Sequence, residues 1–248
     1  MKFLGKKNIE SDSSIWLSNS DLMAGLMIIF LFIAVGFIRE KAPEIVGQQE
    51  YIMNYLSFQE TQEEKIIDAL EKEFTEEEKK NWNLEIIPEE KLIRFNAPDI
   101  MFQLNDDQLT DRYKKIINLF FPRYIRTLAG FGSLIEEIRI EGHTSSEWEG
   151  IDANNAYFKN MILSQKRTIS VLNQAFNSII KSSVTVKERE WAFKKVSASG
   201  LSSRKVILNV DGTENASKSR RVEFRYILAE ENKVKFIKEN IKTNINGN

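Results

Sequence analysis

The chain has 248 residues, no cysteine, a single histidine, and 35 Lys+Arg against 36 Asp+Glu, a net charge of -1. These counts exclude disulfides, thiolate catalysis, Cys-based zinc sites and a His-rich metal centre. Near-neutrality offers no basic patch for nucleic acid. The length suits one large domain or a smaller domain with appended segments.

In chain order, the first feature is apolar. Leu22–Ile38 is a run of seventeen residues without a charge or a polar amide. It spans about 25 Å as a helix, or about 36 Å if Ile15-Trp16-Leu17 are included, which brackets a bilayer core of about 30 Å. The spacing predicts a transmembrane helix over 15–38. A cleaved signal peptide would have a shorter apolar region and a small-residue cleavage site, and Gly36-Phe37-Ile38-Arg39-Glu40 supplies none. Lys2, Lys6 and Lys7 precede the span, against Arg39 and Lys41 after it. That bias predicts a cytoplasmic N-terminus over 1–14 and an exported body.

Residues 39–81 are charge-dense, with Glu63-Glu64 and Glu76-Glu77-Glu78. Ile45, Ile52, Tyr55, Leu56, Ile66, Leu70 and Phe74 recur at loosely helical spacing, and Gln59 and Glu73 break any heptad. This predicts a helical connector on the exported side.

From Trp82 to about residue 229 the pattern is that of a folded α/β unit. Leu84–Ile87 and Lys91–Phe95 flank Pro88-Glu89-Glu90 as a hairpin. Over 107–128, Leu109, Tyr113, Ile116, Ile117, Phe120, Phe121 and Tyr124 keep a helical period, with Pro122 as an irregularity. Residues 134–141 read as a strand. Residues 153–180 read as a helix with Ile162, Ile169, Leu172, Phe176 and Ile180 inward. Val206–Val210 and Val222–Ile227 are the last strand candidates, separated by Asp211-Gly212-Thr213-Glu214-Asn215, and a charged, asparagine-rich tail follows over 230–248.

Three places carry chemistry. Asp21 admits two readings. It is the N-cap of the apolar helix, or it lies about 9 Å along a helix that starts at Ile15. At membrane depth a carboxylate costs on the order of 2.5–3.5 kcal/mol at the centre and less near the edge, and is functional by default. In that setting it is suited to load and release a proton. Gly25, one turn on, allows close approach of a neighbouring helix. The second place is Glu141-Gly142-His143-Thr144-Ser145 with Asn160, Leu163, Ser164 and Arg167. The third is Ser219-Arg220-Arg221-Val222-Glu223, an arginine pair that is either solvated charge or a grip for carboxylate or phosphate.

Taken together, Gly142-His143-Thr144-Ser145, Asn160…Leu163-Ser164…Arg167 and Ser219-Arg220-Arg221-Val222-Glu223 resemble the three ordered motifs of OmpA-like peptidoglycan-binding domains, over about residues 84–229. The start, Trp16…Ser20-Asp21-Leu22-Met23, resembles a MotB-type stator subunit. The short chain and acidic connector are closer to the MotB-like subunits of the Zorya anti-phage system than to flagellar MotB. The resemblance implies an α+β fold: one transmembrane helix, a helical connector and an OmpA-like sandwich whose mixed sheet carries helices on one face.

Further implications follow from the resemblance alone. Asp21 would carry the ion, H+ or Na+, with no bound cofactor, no metal and no enzymatic residues. Asn160, Leu163 and Arg167 would surround a diaminopimelate carboxylate of the peptidoglycan stem peptide, with Arg220 and Arg221 beside them. Ser145 stands where the family has an aspartate for the ligand's ammonium, which implies a weaker or differently oriented hold; Ser146 or Glu147 are candidate substitutes. Ser219 likewise replaces the family's asparagine. The implied partners are a multi-span ZorA/MotA-like membrane subunit, expected as a pentamer, a second copy of this chain, and peptidoglycan. The implied location is the bacterial inner membrane, single-pass, with the C-terminal unit periplasmic. A passive wall tether with Asp21 as a mere cap is the rival from another class.

Overall fold

The structure, a computed structural model, describes the backbone of residues 9–96, 101–102, 106–148 and 150–229, with side chains from Ser20 on except those of 42–49 and 51. Lys2, Lys6, Lys7 and the tail over 230–248 lie outside the described residues, as do the side chains of Ile15, Trp16, Leu17 and Ile45. The chain divides into two compact units, residues 1–57 and 58–248.

The first unit is dominated by one helix. Helix α1 (Ile9–Glu73) contains the segment Ser20–Lys41, 22 residues with mean hydropathy 2.5 and no buried position. At 1.5 Å per residue it measures about 33 Å, long and apolar enough to cross a bilayer core. Because α1 begins at Ile9, Asp21 lies inside the helix and is not its N-cap.

The second unit begins with the last turns of α1, where Ile66 and Leu70, with Phe74 just beyond, are fully buried in the main core. Arg123 fastens this end. Its Nε donates to Glu73 Oε1 at 2.7 Å, its Nη1 to Glu78 Oε1 at 2.6 Å, its Nη2 to the Glu73 carbonyl, and its guanidinium lies 4.9 Å from the Phe74 ring centroid. A capping box of Thr75 and Glu78 then starts α2 (Glu76–Trp82), which ends on Asn83 in the left-handed region.

Strands β1 (Leu84–Ile87) and β2 (Leu92–Phe95) form the expected antiparallel hairpin, with Lys91 at φ 56° closing the Pro88–Glu90 turn. Thr110 caps α3 (Asp111–Ala129), and the apolar residues read inward from the sequence are all buried, Leu109 ahead of the cap and the rest on the helix, with Pro122 inside the helix and not ending it. Then come β3 (Ile135–His143), α4 (Ala153–Lys181, capped by Asp152), α5 (Val186–Lys195, capped by Thr185), β4 (Val196–Gly200), the short α6 (Ala216–Ser219) and β5 (Arg221–Leu228). The sheet order is β1-β2-β5-β3-β4. Only β3 and β4 run parallel, joined by the α4–α5 crossover that a parallel pair requires. This mixed sheet makes the fold α+β.

Strand alternation divides the sheet into two unlike faces. Ile93, Phe95, Ile138, Ile140, Val222, Phe224 and Tyr226 join α3 and α4 in one core. The intervening positions carry Arg94, Arg139, Glu141, Arg221, Glu223 and Arg225.

Two expectations are corrected. Val206–Val210 is not a strand of the sheet; only an isolated bridge, Leu208 to Glu214, forms there, and the remaining strand is the small-residue segment Val196–Gly200. In α4, Ile162, Ile169 and Ile180 are 58%, 44% and 51% exposed, and Leu172 and Phe176 are only partly buried. The fully buried face is instead Ala156, Asn160, Ser164, Thr168, Val171, Ala175, Ser178 and Ile179. The reason is proximity. A Cβ on Gly200 would stand 2.6 Å from Gln165 Cα and 2.7 Å from the Ser164 carbonyl carbon, and one on Gly142 would stand 3.0 Å from the Ser164 oxygen. Only small residues fit where helix backbone rests on strand backbone, so the larger side chains turn outward.

Gly200→Ala therefore drives a methyl into helix backbone that no rotamer change can relieve. The substitution is expected to cost about 1–3 kcal/mol, seen as a lower urea midpoint with unchanged slope for the purified chain in detergent.

Candidate functional site

Beside the close seat of α4 on β3 and β4, four chain segments meet around one cleft. It is lined by Gly142 and His143 from β3, Ser164 and Arg167 from α4, Arg220, Arg221 and Val222 at the start of β5, and Met101 and Phe102 from the segment before α3. Local bonds fix the seat. The Ser202 amide donates to Ser164 Oγ at 3.0 Å, the Gly200 amide to Gln165 Oε1 at 2.7 Å, and Ser202 Oγ to the Tyr157 carbonyl at 2.9 Å.

Within this frame the arginines differ in what they have left to offer. Arg221 is internally engaged: its Nε donates to Glu223 Oε1 at 2.6 Å, and its Nη1 to the carbonyls of Lys205 and Ser219 at 3.0 and 3.1 Å. Among the described residues Arg167 donates one bond, from Nε to the Asp106 carbonyl at 2.9 Å, and its guanidinium lies 4.7 Å from the Phe102 ring centroid. No hydrogen bond or ion pair of Arg220 is found among the described residues. Burial first, and then the charge of Arg220, pull Arg167 below the ordinary arginine value, against the opposing pull of Asp107 and Asp106. Two cations that repel one another across a cleft favour an anion between them.

The other sequence candidates have different places. Asn160 is buried, and its Nδ2 donates to the Ser145 carbonyl at 3.0 Å, so it holds the loop after β3. Ser145 is buried with it. Leu163 is half-buried and does not line the cleft. The Ser146 amide is bound to Glu214, at 3.0 and 3.3 Å from its two oxygens, and Glu147 is exposed. Asp21 belongs to the first unit and is exposed on α1.

Beside the cleft lies a buried charge network that the motif reading missed. Glu223 is fully buried; it accepts from Arg221 Nε and from Arg94 Nε at 2.8 Å, and its other oxygen faces His143 Nε2 at 3.2 Å. Glu141, also buried, accepts from Arg225 Nε at 3.2 Å. Burial opposes the charged form of Glu223, yet His143 and Arg221 outweigh it and hold its carboxyl well below the usual range. Burial, with the charge of Arg221, pushes the His143 pKa down against the lifting effect of Glu223 and Glu141. Glu141, His143 and Glu223 do bring ligand-type atoms within 4.8 Å of one another. Their carboxylates already face four guanidiniums, those of Arg94, Arg139, Arg221 and Arg225, which disfavours a further cation. The signal for this network was present in the sequence: charges at alternate positions 221, 223 and 225 on one strand, and 139, 141 and 143 on its neighbour.

No protein-family profile matches the chain. It is 37% identical over 229 residues to the Zorya protein ZorB of Escherichia coli, covering 91% of this chain and 94% of that protein. Among solved structures, a putative MotB-like protein from Desulfovibrio vulgaris aligns over 68% of this chain and 99% of its own, with 17% identity and a TM-score of 0.44. The periplasmic domain of Helicobacter pylori MotB aligns over 60% of this chain and 82% of its own, with 18% identity and a TM-score of 0.39.

The network predicts an acid-sensitive fold. His143 and Glu223, together with Glu78 beside Arg123 and Glu137 beside Arg139, have lowered values in the folded state, so the unfolded chain takes up protons first as pH falls. Stability is expected to be full above the ordinary histidine value of 6.5 and to decline below it. It should fall more steeply below the ordinary glutamate value of 4.5. Urea midpoints measured from pH 7.5 to 3.5 check both the sign and the two-stage shape.

Proposed function

This chain belongs to the ZorB family, and on that premise we propose that it is the ion-driven, wall-anchored stator subunit of an anti-phage system in the bacterial inner membrane. The observation that carries the reading is the 37% identity, which extends over 91% of the chain and so takes in both the apolar span and the C-terminal unit. The N-terminus is cytoplasmic and the C-terminal unit periplasmic. Asp21 takes up and releases H+ as the ion crosses. A lone helix cannot enclose a path for an ion, so a multi-span ZorA/MotA-like subunit must supply the other walls, and the carboxylate faces that partner and not lipid. Two copies of this chain within a pentamer of the partner complete the unit. The C-terminal unit grips the stem peptide of peptidoglycan at the cleft of Arg167 and Arg220, which holds the unit still while ion flow moves the partner.

A passive tether is the second reading, and one observation favours it. On the span Ser20–Lys41, Asp21 sits at the very edge, where a carboxylate is inexpensive and needs no task. Asp21→Asn separates the two, since it keeps size and hydrogen bonding but cannot exchange a proton. With the variant still found in the membrane fraction, plaque protection should be lost; undiminished protection would rule out ion carriage and leave the tether.

The anchoring part has its own measurement. Arg167→Ala removes a charged donor and is expected to weaken co-sedimentation with purified peptidoglycan about tenfold or more. Unchanged retention would place wall contact elsewhere on the chain.

A further inference from the structure

Strand β1 is an edge of the sheet, and no described strand pairs with its outer side. The Asn96 amide donates to the Asn83 carbonyl at 3.0 Å, so 83 and 96 form a hydrogen-bonded pair of the antiparallel ladder. Bonded and non-bonded pairs alternate, which makes Leu84↔Phe95 and Ile86↔Ile93 the non-bonded ones. The N–H and C=O groups of Leu84 and Ile86 therefore point away from β2, toward a groove of about 560 Å³ that β1 lines together with the end of α1 and with α2. Its charges are unequal: Glu71, Glu76 and Glu85 outnumber Lys79 and Lys80. Lys79 is shared by Glu71 and Glu76, with Nζ 2.8 Å from Glu76 Oε1. Exposed Glu85 accepts from the neutral Asn96 amide, Nδ2 to Oε2, at 3.0 Å. Such an edge takes up an extended segment that sets a cation between two β-forming residues.

The chain carries such a segment in residues 230–248, outside the described residues, where Ile241, Thr243 and Ile245 alternate with Asn240, Lys242 and Asn244. We propose that Ile241-Lys242-Thr243 adds to β1 of the same chain as an antiparallel strand, with Ile241 opposite Ile86, Lys242 opposite Glu85 and Thr243 opposite Leu84. Direction and length agree with this. Both β5 and β1 are antiparallel to β2, so the chain passes Ala229 at the Ile87 end of the sheet and returns antiparallel to β1. Arg225 is level with Leu92 and Ile87, so a path from Ala229 to a strand beside Ile86 covers about 20–25 Å. Residues 230–240 reach about 36 Å when extended. The β1 edge of a second copy is a poorer occupant, because two-fold pairing of Leu84 with Ile86 sets Glu85 against Glu85. With the segment in place, Lys242 meets that carboxylate across the strands, and the open edge is closed to other chains.

The absence of cysteine gives a clean test in the full chain in detergent. In this register Glu85 and Lys242 form a non-hydrogen-bonded pair with Cα atoms about 4.5 Å apart, within the span of a disulfide. Glu85→Cys combined with Lys242→Cys is expected to oxidise to a disulfide within one chain, and Glu85→Cys combined with Lys235→Cys to oxidise far less. Amide hydrogen exchange at Leu84 and Ile86 is the second readout. Thr243→Pro removes the donor opposite Leu84 and is expected to speed exchange at both amides about tenfold, with exchange at Phe224 in the core unchanged. Lys242→Glu is expected to act in the same direction, and Glu85→Lys in that background to restore protection. Failure of the disulfide, or exchange at Leu84 and Ile86 unmoved by Thr243→Pro, would overturn the proposal. A disulfide joining two chains would overturn it as well, and would give the edge to the segment of a second copy.

Discussion

The C-terminal unit depends on one steric constraint: the backbone of α4 rests on the backbone of β3 and β4 at Gly142 and Gly200. With no Cβ at either glycine, Ser164 and Gln165 sit in contact with strand atoms that any other residue would displace. The inward face of α4 is small and polar for that reason, and small polar groups can bond where larger ones could only pack. Ser164 and Gln165 each take an amide from the segment that follows β4 or ends it, and Asn160 pins the loop after β3. The cleft is thus a product of how tightly two elements approach, and Arg167 reaches Phe102 and Asp106 because its helix lies that close.

The charged face of the sheet is a second layer of the same economy. Glu223 has no exposure and sits between Arg94, Arg221 and His143. Paired buried charges give little net stability, while loss of one partner costs several kcal/mol, about 3–5 by typical measure. Such a network confers specificity more than strength. It uses up Arg221 and thereby decides which of two adjacent arginines stays available: Arg221 is turned into the fold, and Arg220 is left for the cleft.

Legibility in the sequence followed side-chain size. The stripe of α3 was plain because Tyr113, Phe120, Phe121 and Tyr124 bury large area at helical spacing. The hairpin of β1 and β2 was plain because Leu84–Ile87 and Leu92–Phe95 flank a proline turn. Helix α4 is legible as a helix but its orientation is not, because the spacing of Ile162, Ile169 and Ile180 points inward while the close seat on Gly142 and Gly200 is taken by Ser164, Gln165 and Thr168. Strand β4, Val-Ser-Ala-Ser-Gly, carries almost no β-branched or aromatic signal and is held by pairing with β3 and contact with α4, both non-local. Within the site, the motif residues were legible by pattern. The contributions of Phe102, Asp106 and Glu214 come from segments whose sequence neighbours say nothing of the cleft.

The buried positions Ile66, Leu70 and Phe74 change what counts as spacer in this chain. Judged by charge, the acidic stretch ahead of Trp82 reads as tether, expendable and open to attack. Judged by burial, the folded body reaches back to Ile66 and is locked there by Arg123 on Glu73 and Glu78. Protease cleavage after Lys72 would not trim a linker; it would sever two fully buried side chains, Ile66 and Leu70, from the core they belong to. The boundary at which this protein tolerates being cut therefore lies inside a helix, upstream of where its composition changes.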